Sequence, residues 1–166
     1  DGLSDLGRHN ARFDDIYATN ATIQTSDRNE KQDIEELSDA EQRVAVACKG
    51  LLRKFRWKDS VAEKGDAARI HFGIIAQDLQ VAFAAQGLDA GDYAMFISST
   101  WWETQTEVDA VEAVEATEDT EAVEAADAYT RTDMFYTLAE APTGATERTR
   151  LGVRYPELLA FIISAI

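Results

Sequence analysis

The chain has 166 residues, and 16 Lys and Arg against 31 Asp and Glu leave a formal net charge of −15. That length suits one domain with a sizeable core and room for an appendage, while 45% hydrophobic and 9% aromatic residues exclude a wholly disordered chain. The charge argues against a general nucleic-acid binder, which needs clustered Lys and Arg, and no apolar run approaches the roughly 20 residues that span a bilayer.

No signal peptide opens the chain, and Asp at position 1 points to a piece of a longer protein. The single cysteine, Cys48, excludes an intramolecular disulfide. His9 and His71 lie far apart, and no Cys/His cluster suggests zinc; neither a metal nor any other cofactor is expected.

Residues 1–25 are rich in Asn, Asp, Thr and Gly, with isolated apolar positions at Phe13, Ile16, Tyr17 and Ile23. No helix period runs through them, and Ala21 to Thr25 has the make-up of a short strand. This stretch reads as the end of something extended.

Ser26 to Ile34, SDRNEKQDI, sits at the junction with the globular part. The local pattern is that of a helix start, with Asp27 as N-cap and Glu30 three residues later. It also holds a Ser/Lys pair: a serine hydroxyl needs a base to take its proton, and a neutral lysine amine can serve. Five residues do not put Ser26 and Lys31 on one helix face. Both readings hold together if Ser26 precedes the helix and Lys31 reaches back. A Ser and a Lys five apart are too common to carry the claim alone.

Ser38 to Glu41 is a capping box. Val44, Ala47, Cys48, Leu51 and Leu52 then follow at helical spacing, predicting one buried face with Cys48 as a small buried hydrophobe. Leu52 to Lys58 alternates, with Phe55 and Trp57 on one side and cations on the other, which predicts a strand. Ala68 to Gly73 reads as a second strand or a turn. Ile75, Leu79, Ala82 and Phe83 mark another helix, ended by Gly87. Tyr93 to Trp102 and Tyr129 to Leu138 are β-like runs rich in aromatic and β-branched residues.

Between them, Glu103 to Asp127 holds ten Asp or Glu and no Lys or Arg. Val-Glu-Ala recurs at 111–113, 114–116 and 123–125. This reads as a solvated acidic arm, carried on a long hairpin-like protrusion. Pro142 and Gly144 mark a loop, and Leu151 to Tyr155 a last strand. Pro156 suits a first helical turn. Leu158, Leu159, Ile162, Ile163 and Ile166, widened by Phe161, predict an apolar helix that packs on something, copies of itself included.

Five blocks carry a resemblance. Thr25 to Ile34 resembles the opening motif of the C-terminal intramolecular chaperone domains of bacteriophage tail fibres and tailspikes, the peptidase S74 family: Ser-Asp, a few residues, Lys, then Ile. Phe55-Arg56-Trp57 resembles the family's aromatic strand. Ile70 to Leu79, IHFGIIAQDL, resembles its most recognisable block, and Val153 to Leu159 its terminal block. Phe13 to Ala18 resembles the short repeat that precedes the motif in fibre proteins.

The resemblance covers nearly the whole chain except the acidic arm, whose length and content are particular to this protein. The fold expected is α+β: a small mixed helix/strand domain (26–166) after a fibre end (1–25), with a long acidic protruding arm at about 100–140 and an apolar C-terminal helix, and the resemblance implies assembly as a homotrimer. It implies a chaperone that trimerises, helps the preceding fibre segment of the same chain fold in register, and then cuts itself off between Thr25 and Ser26. Ser26 is then the nucleophile and Lys31 the general base of a single-turnover serine endopeptidase. His71 and Arg154 take supporting roles, orienting the bond or stabilising an oxyanion. The fibre part belongs to the virion and the released domain to the host cytoplasm; nucleic acid and membrane are not expected partners. Two other readings compete: a trimeric folding cap that never cuts, and an acidic α+β binding module.

Overall fold

The computed structural model describes residues 24–113 and 124–166. The expected extended stub, its strand before Gln24, His9, and most of the Val-Glu-Ala repeats lie outside the described residues. Helices and strands are mixed. In chain order they are α1 (Asp39–Cys48), β1 (Leu52–Phe55), α2 (Lys58–Lys64), β2 (His71–Ile74), α3 (Ala76–Ala84), β3 (Phe96–Val108), β4 (Tyr129–Phe135), β5 (Thr146–Val153) and α4 (Tyr155–Ile163). Their contacts divide into two units, Asp1–Ser98 with Leu151–Ile166, and Ser99–Arg150.

The first unit is built on α1. Ser38 Oγ accepts from the Glu41 backbone N–H at 3.3 Å, and Glu41 Oε2 accepts from the Ser38 N–H at 2.7 Å, so the capping box is complete. The buried face of α1 is Val44, Ala45 and Cys48. Ala47 and Leu52, expected on that face, are exposed. The helix ends at Cys48 and passes through a 3-10 turn, Lys49–Leu51, so Leu52 no longer follows the helical period and starts β1. Burial pushes the Cys48 thiol up to about 11, which makes it an inert packing group.

β1 pairs antiparallel with β2, from Leu52 opposite Ile74 to Phe55 opposite His71. The strand expected over 52–58 stops at Phe55. Trp57 caps α2 instead, because Asp59 to Lys64 is good helix sequence; Gly65, at φ 55°, ends it. The Phe55 and Trp57 rings still meet edge-on, with centroids 5.2 Å apart. α3 buries Leu79 and Phe83, and Gly87 follows it at φ 74°.

The core joins α1, α3 and α4 with Ile74, Met95 and Phe96. Phe83 sits inside it, its ring 4.5 Å from that of Tyr93 and stacked at 5.9 Å on that of Phe161. The expected apolar stripe of α4 divides in two. Leu158 and Phe161 enter the core, with Ile162 packed beside them. Leu159, Ile163 and Ile166 are 49%, 64% and 92% exposed.

The second unit is a β-hairpin with a third strand, in the order β4-β3-β5. β3 and β4 pair from Trp102 opposite Phe135 to Val108 opposite Tyr129, and Val111 bridges Ala126 beyond them. The two β-like runs that flank the acidic segment are therefore hydrogen-bonded neighbours. On β3, Trp101 is buried and Glu103 lies two residues on, on the same strand face. Arg150 covers the Trp101 ring at 5.4 Å, and Arg148 donates to Glu103 at 2.6 Å. The Arg148 hydrogen bond holds the Glu103 carboxyl below its usual range. The final strand starts at Thr146, five residues earlier than its expected start at Leu151.

Candidate functional site

The segment between Gln24 and Ser38 makes no α-helix. Asp27 caps a single 3-10 turn, Arg28–Glu30, in which no residue is buried. Polar residues follow the cap, so no apolar face extends the turn into a helix. The turn is closed locally. Glu30 N–H donates to the Asp27 carbonyl and Lys31 N–H to the Arg28 carbonyl, both at 3.2 Å. Asp27 Oδ1 accepts from the Asn29 backbone N–H at 2.9 Å and from Asn29 Nδ2 at 3.0 Å. Lys31 leaves the turn in an extended conformation, and Asp33 bends the chain at φ 51°, a left-handed conformation that Asp tolerates better than most residues.

This geometry folds Lys31 back over Ser26. Lys31 Nζ donates to Ser26 Oγ at 2.6 Å, with both residues exposed in the single chain. An amine at hydrogen-bond distance from a hydroxyl is placed to take its proton whenever the amine is neutral. Thr25, immediately before, is also exposed. Attack by the Ser26 hydroxyl on the Thr25 carbonyl carbon would close a five-membered ring.

The other two candidates have partners elsewhere in the first unit. His71 stacks on Phe55, centroids 5.9 Å apart at an interplanar angle of 20°, and meets Trp57 edge-on at 6.2 Å. Arg154 caps α4, with its backbone N–H on the Met95 carbonyl at 2.9 Å and its guanidinium 3.9 Å from Glu157. The structure brings Ser26 and Lys31 together and gives His71 and Arg154 packing and capping contacts. The sequence reading missed the Tyr155 hydroxyl, which accepts from the Ile74 N–H at 2.9 Å and ties α4 to β2. Gly73 beside it was the available signal, since a Cβ there would run into that hydroxyl.

Among the described residues no three His, Cys, Asp or Glu converge as a metal site. No helix among them is long and apolar enough to cross a membrane.

Residues 26–88 match the Peptidase S74 family, described as chaperone of endosialidase. The chain is 42% identical over 97 residues to a probable tail spike protein of Klebsiella phage 0507-KN2-1. It is 40% identical over 97 residues to a capsule K3-specific depolymerase 1 of Klebsiella phage KP32. These alignments take in 58% and 55% of this chain but 8% and 10% of the relatives, so the chain spans about a tenth of their length. In fold it is similar to the carboxy-terminal domain of the bacteriophage T5 L-shaped tail fibre with its intramolecular chaperone domain. That match has a TM-score of 0.70 at 24% identity, and covers 99% of this chain and 34% of the other.

Proposed function

We propose, from the match of residues 26–88 to the Peptidase S74 family, that the chain is the intramolecular chaperone of a phage tail fibre or tailspike. It trimerises, brings three copies of the preceding fibre segment into register, and then releases itself by cleavage between Thr25 and Ser26. The 2.6 Å contact between Lys31 Nζ and Ser26 Oγ carries the reading.

The chemistry uses this chain's own groups. Neutral Lys31 takes the Ser26 hydroxyl proton as Oγ attacks the Thr25 carbonyl carbon. The tetrahedral intermediate collapses with loss of the C–N bond, and the departing amine takes a proton. An ester then links Thr25 to Ser26 Oγ. Water hydrolyses it, leaving a Thr25 carboxylate and a new amino terminus at Ser26. His71 and Arg154 have supporting roles in this proposal, orienting the bond or stabilising the oxyanion.

The physical logic of the sequence of events is kinetic. A fibre of intertwined strands is dominated by non-local contacts and folds slowly. A module that trimerises first raises the effective concentration of the three ends. Cleavage afterwards removes the route back. Both dyad residues are exposed in the single chain, and burial favours a neutral amine. Assembly that covers this turn therefore favours the base and times the cut.

Intact mass of the full chain, beside Ser26→Ala, tests the proposal. Wild type is expected to yield a new terminus at Ser26 while the variant stays whole. His71→Ala and Arg154→Ala in the same assay are expected to slow the cut without abolishing it; a wild-type rate would leave both residues purely structural. Wild type that stays whole in an assembled trimer would replace this reading with the folding cap that never cuts.

A further inference from the structure

Ser26 and Lys31 are five residues apart, a separation of roughly 16 Å in extended chain. A continuous α-helix would put them about 140° apart around its axis. What joins them is the one turn between them. That turn has no buried residue, so the core does not hold it. Besides its two backbone hydrogen bonds, its closures are the two that Asp27 Oδ1 accepts from Asn29, at 2.9 Å and 3.0 Å.

We propose that Asp27 is a positioning residue for self-cleavage, the carboxylate cap whose bonds to Asn29 hold the turn that seats the Lys31 amine on the Ser26 hydroxyl. This rests on the cleavage proposed above and adds to it a residue that touches neither the scissile bond nor the base. Asp27 acts through geometry. Its Oδ1 is the acceptor for the backbone N–H at the second position of the turn, and the Asn29 side chain adds a second donor to the same oxygen. Without the cap the turn opens into alternatives, and the amine samples positions away from the hydroxyl. Misplacement by about 1 Å can cost on the order of 100-fold in rate.

The test follows the rate of appearance of the Ser26 terminus by mass in the full chain, for wild type, Asp27→Ala, Asp27→Asn and Asp27→Ser, across a pH series. Asp27→Ala is expected to slow cleavage by roughly 10- to 100-fold, with unchanged thermal unfolding because the turn lies outside the core. Asp27→Asn and Asp27→Ser keep a cap acceptor and are expected within about 3-fold of wild type, with an unmoved pH profile. Asp27→Ala cutting at the wild-type rate overturns the inference. So does Asp27→Asn as slow as Asp27→Ala, or with a shifted pH profile, since the carboxylate charge would then matter and not the cap. Wild type that fails to cut overturns the proposed cleavage as well, whereas the other two results leave it standing.

Discussion

Two segments of this chain start with the same device and end differently. At Asp27 a side-chain oxygen caps a backbone N–H two residues on, and at Ser38 one caps a backbone N–H three residues on. After Ser38 the chain runs to Val44, Ala45 and Cys48, which all reach the core, and a ten-residue helix forms. After Asp27 come Arg28, Asn29 and Glu30, which reach nothing apolar, and a single turn forms. A cap selects where a turn begins; burial of an apolar face decides whether it propagates. One segment therefore supplies stability and the other supplies a juxtaposition. The two contributions should come apart under mutation.

The largest effect breaks the first contribution alone. Phe83 is fully buried, stacks on Phe161 and meets the Tyr93 ring at a tilt. Phe83→Ala should cost about 3–5 kcal/mol, read as a lower midpoint in chemical denaturation. The turn shares no core residue with it, so the molecules that remain folded should still cut at the wild-type rate per folded, assembled chain. A proportionate fall in that corrected rate would mean that the dyad depends on the core after all.

Gly73 comes next. A methyl there would meet the Tyr155 hydroxyl and ring and the Phe55 ring, the last at 3.3 Å. The hydroxyl would have to leave the Ile74 N–H, which it now satisfies at 2.9 Å. Gly73→Ala should therefore cost about 1–3 kcal/mol, and Tyr155→Phe, which removes the hydroxyl, should recover part of that loss in the double variant. Additive losses would show that the close approach is not what requires glycine.

How legible these features were in the sequence follows the same division. The Ser38–Glu41 box, the Leu79/Phe83 face and Gly87 could be read because caps, helical spacing and stop signals are local. The short β1 and the helix after it could not, because period-2 alternation across Leu52 to Lys58 runs past the end of the strand at Phe55 into the first residue of the helix, with Trp57 as its extended cap. The α4 stripe showed that the helix was apolar but not that Leu158 and Phe161 go inward while Ile163 stays out; that depends on which elements α4 meets. For the candidate site, spacing alone left a helix start and a Ser/Lys pair both open. The turn satisfies part of each: Asp27 caps it, and because it stops after one turn, Lys31 can return to Ser26.

The smallest effect sharpens the comparison most. Ser38→Ala removes the helix cap and should cost about 1 kcal/mol at neutral pH. Glu41 adds a pH signature. The Ser38 hydroxyl and backbone hydrogen bonds hold its carboxyl below the ordinary value of 4.5, with burial opposing and the Tyr93 hydroxyl, at 3.0 Å, adding a little. The unfolded chain therefore takes up this proton at a higher pH than the folded one. The stabilisation is present above 4.5 and is lost as pH falls through the lower folded value. The stability gap between wild type and Ser38→Ala should accordingly narrow as pH drops below that point, leaving the part due to the Ser38 Oγ cap on the Glu41 N–H. Their cleavage rates at neutral pH should match, whereas Asp27→Ala should show the converse: wild-type stability and slow cleavage. If Ser38→Ala slowed the cut as much as Asp27→Ala does, the two caps would belong to one cooperative unit. The turn at Ser26 would then be an extension of α1 and not a separate local device.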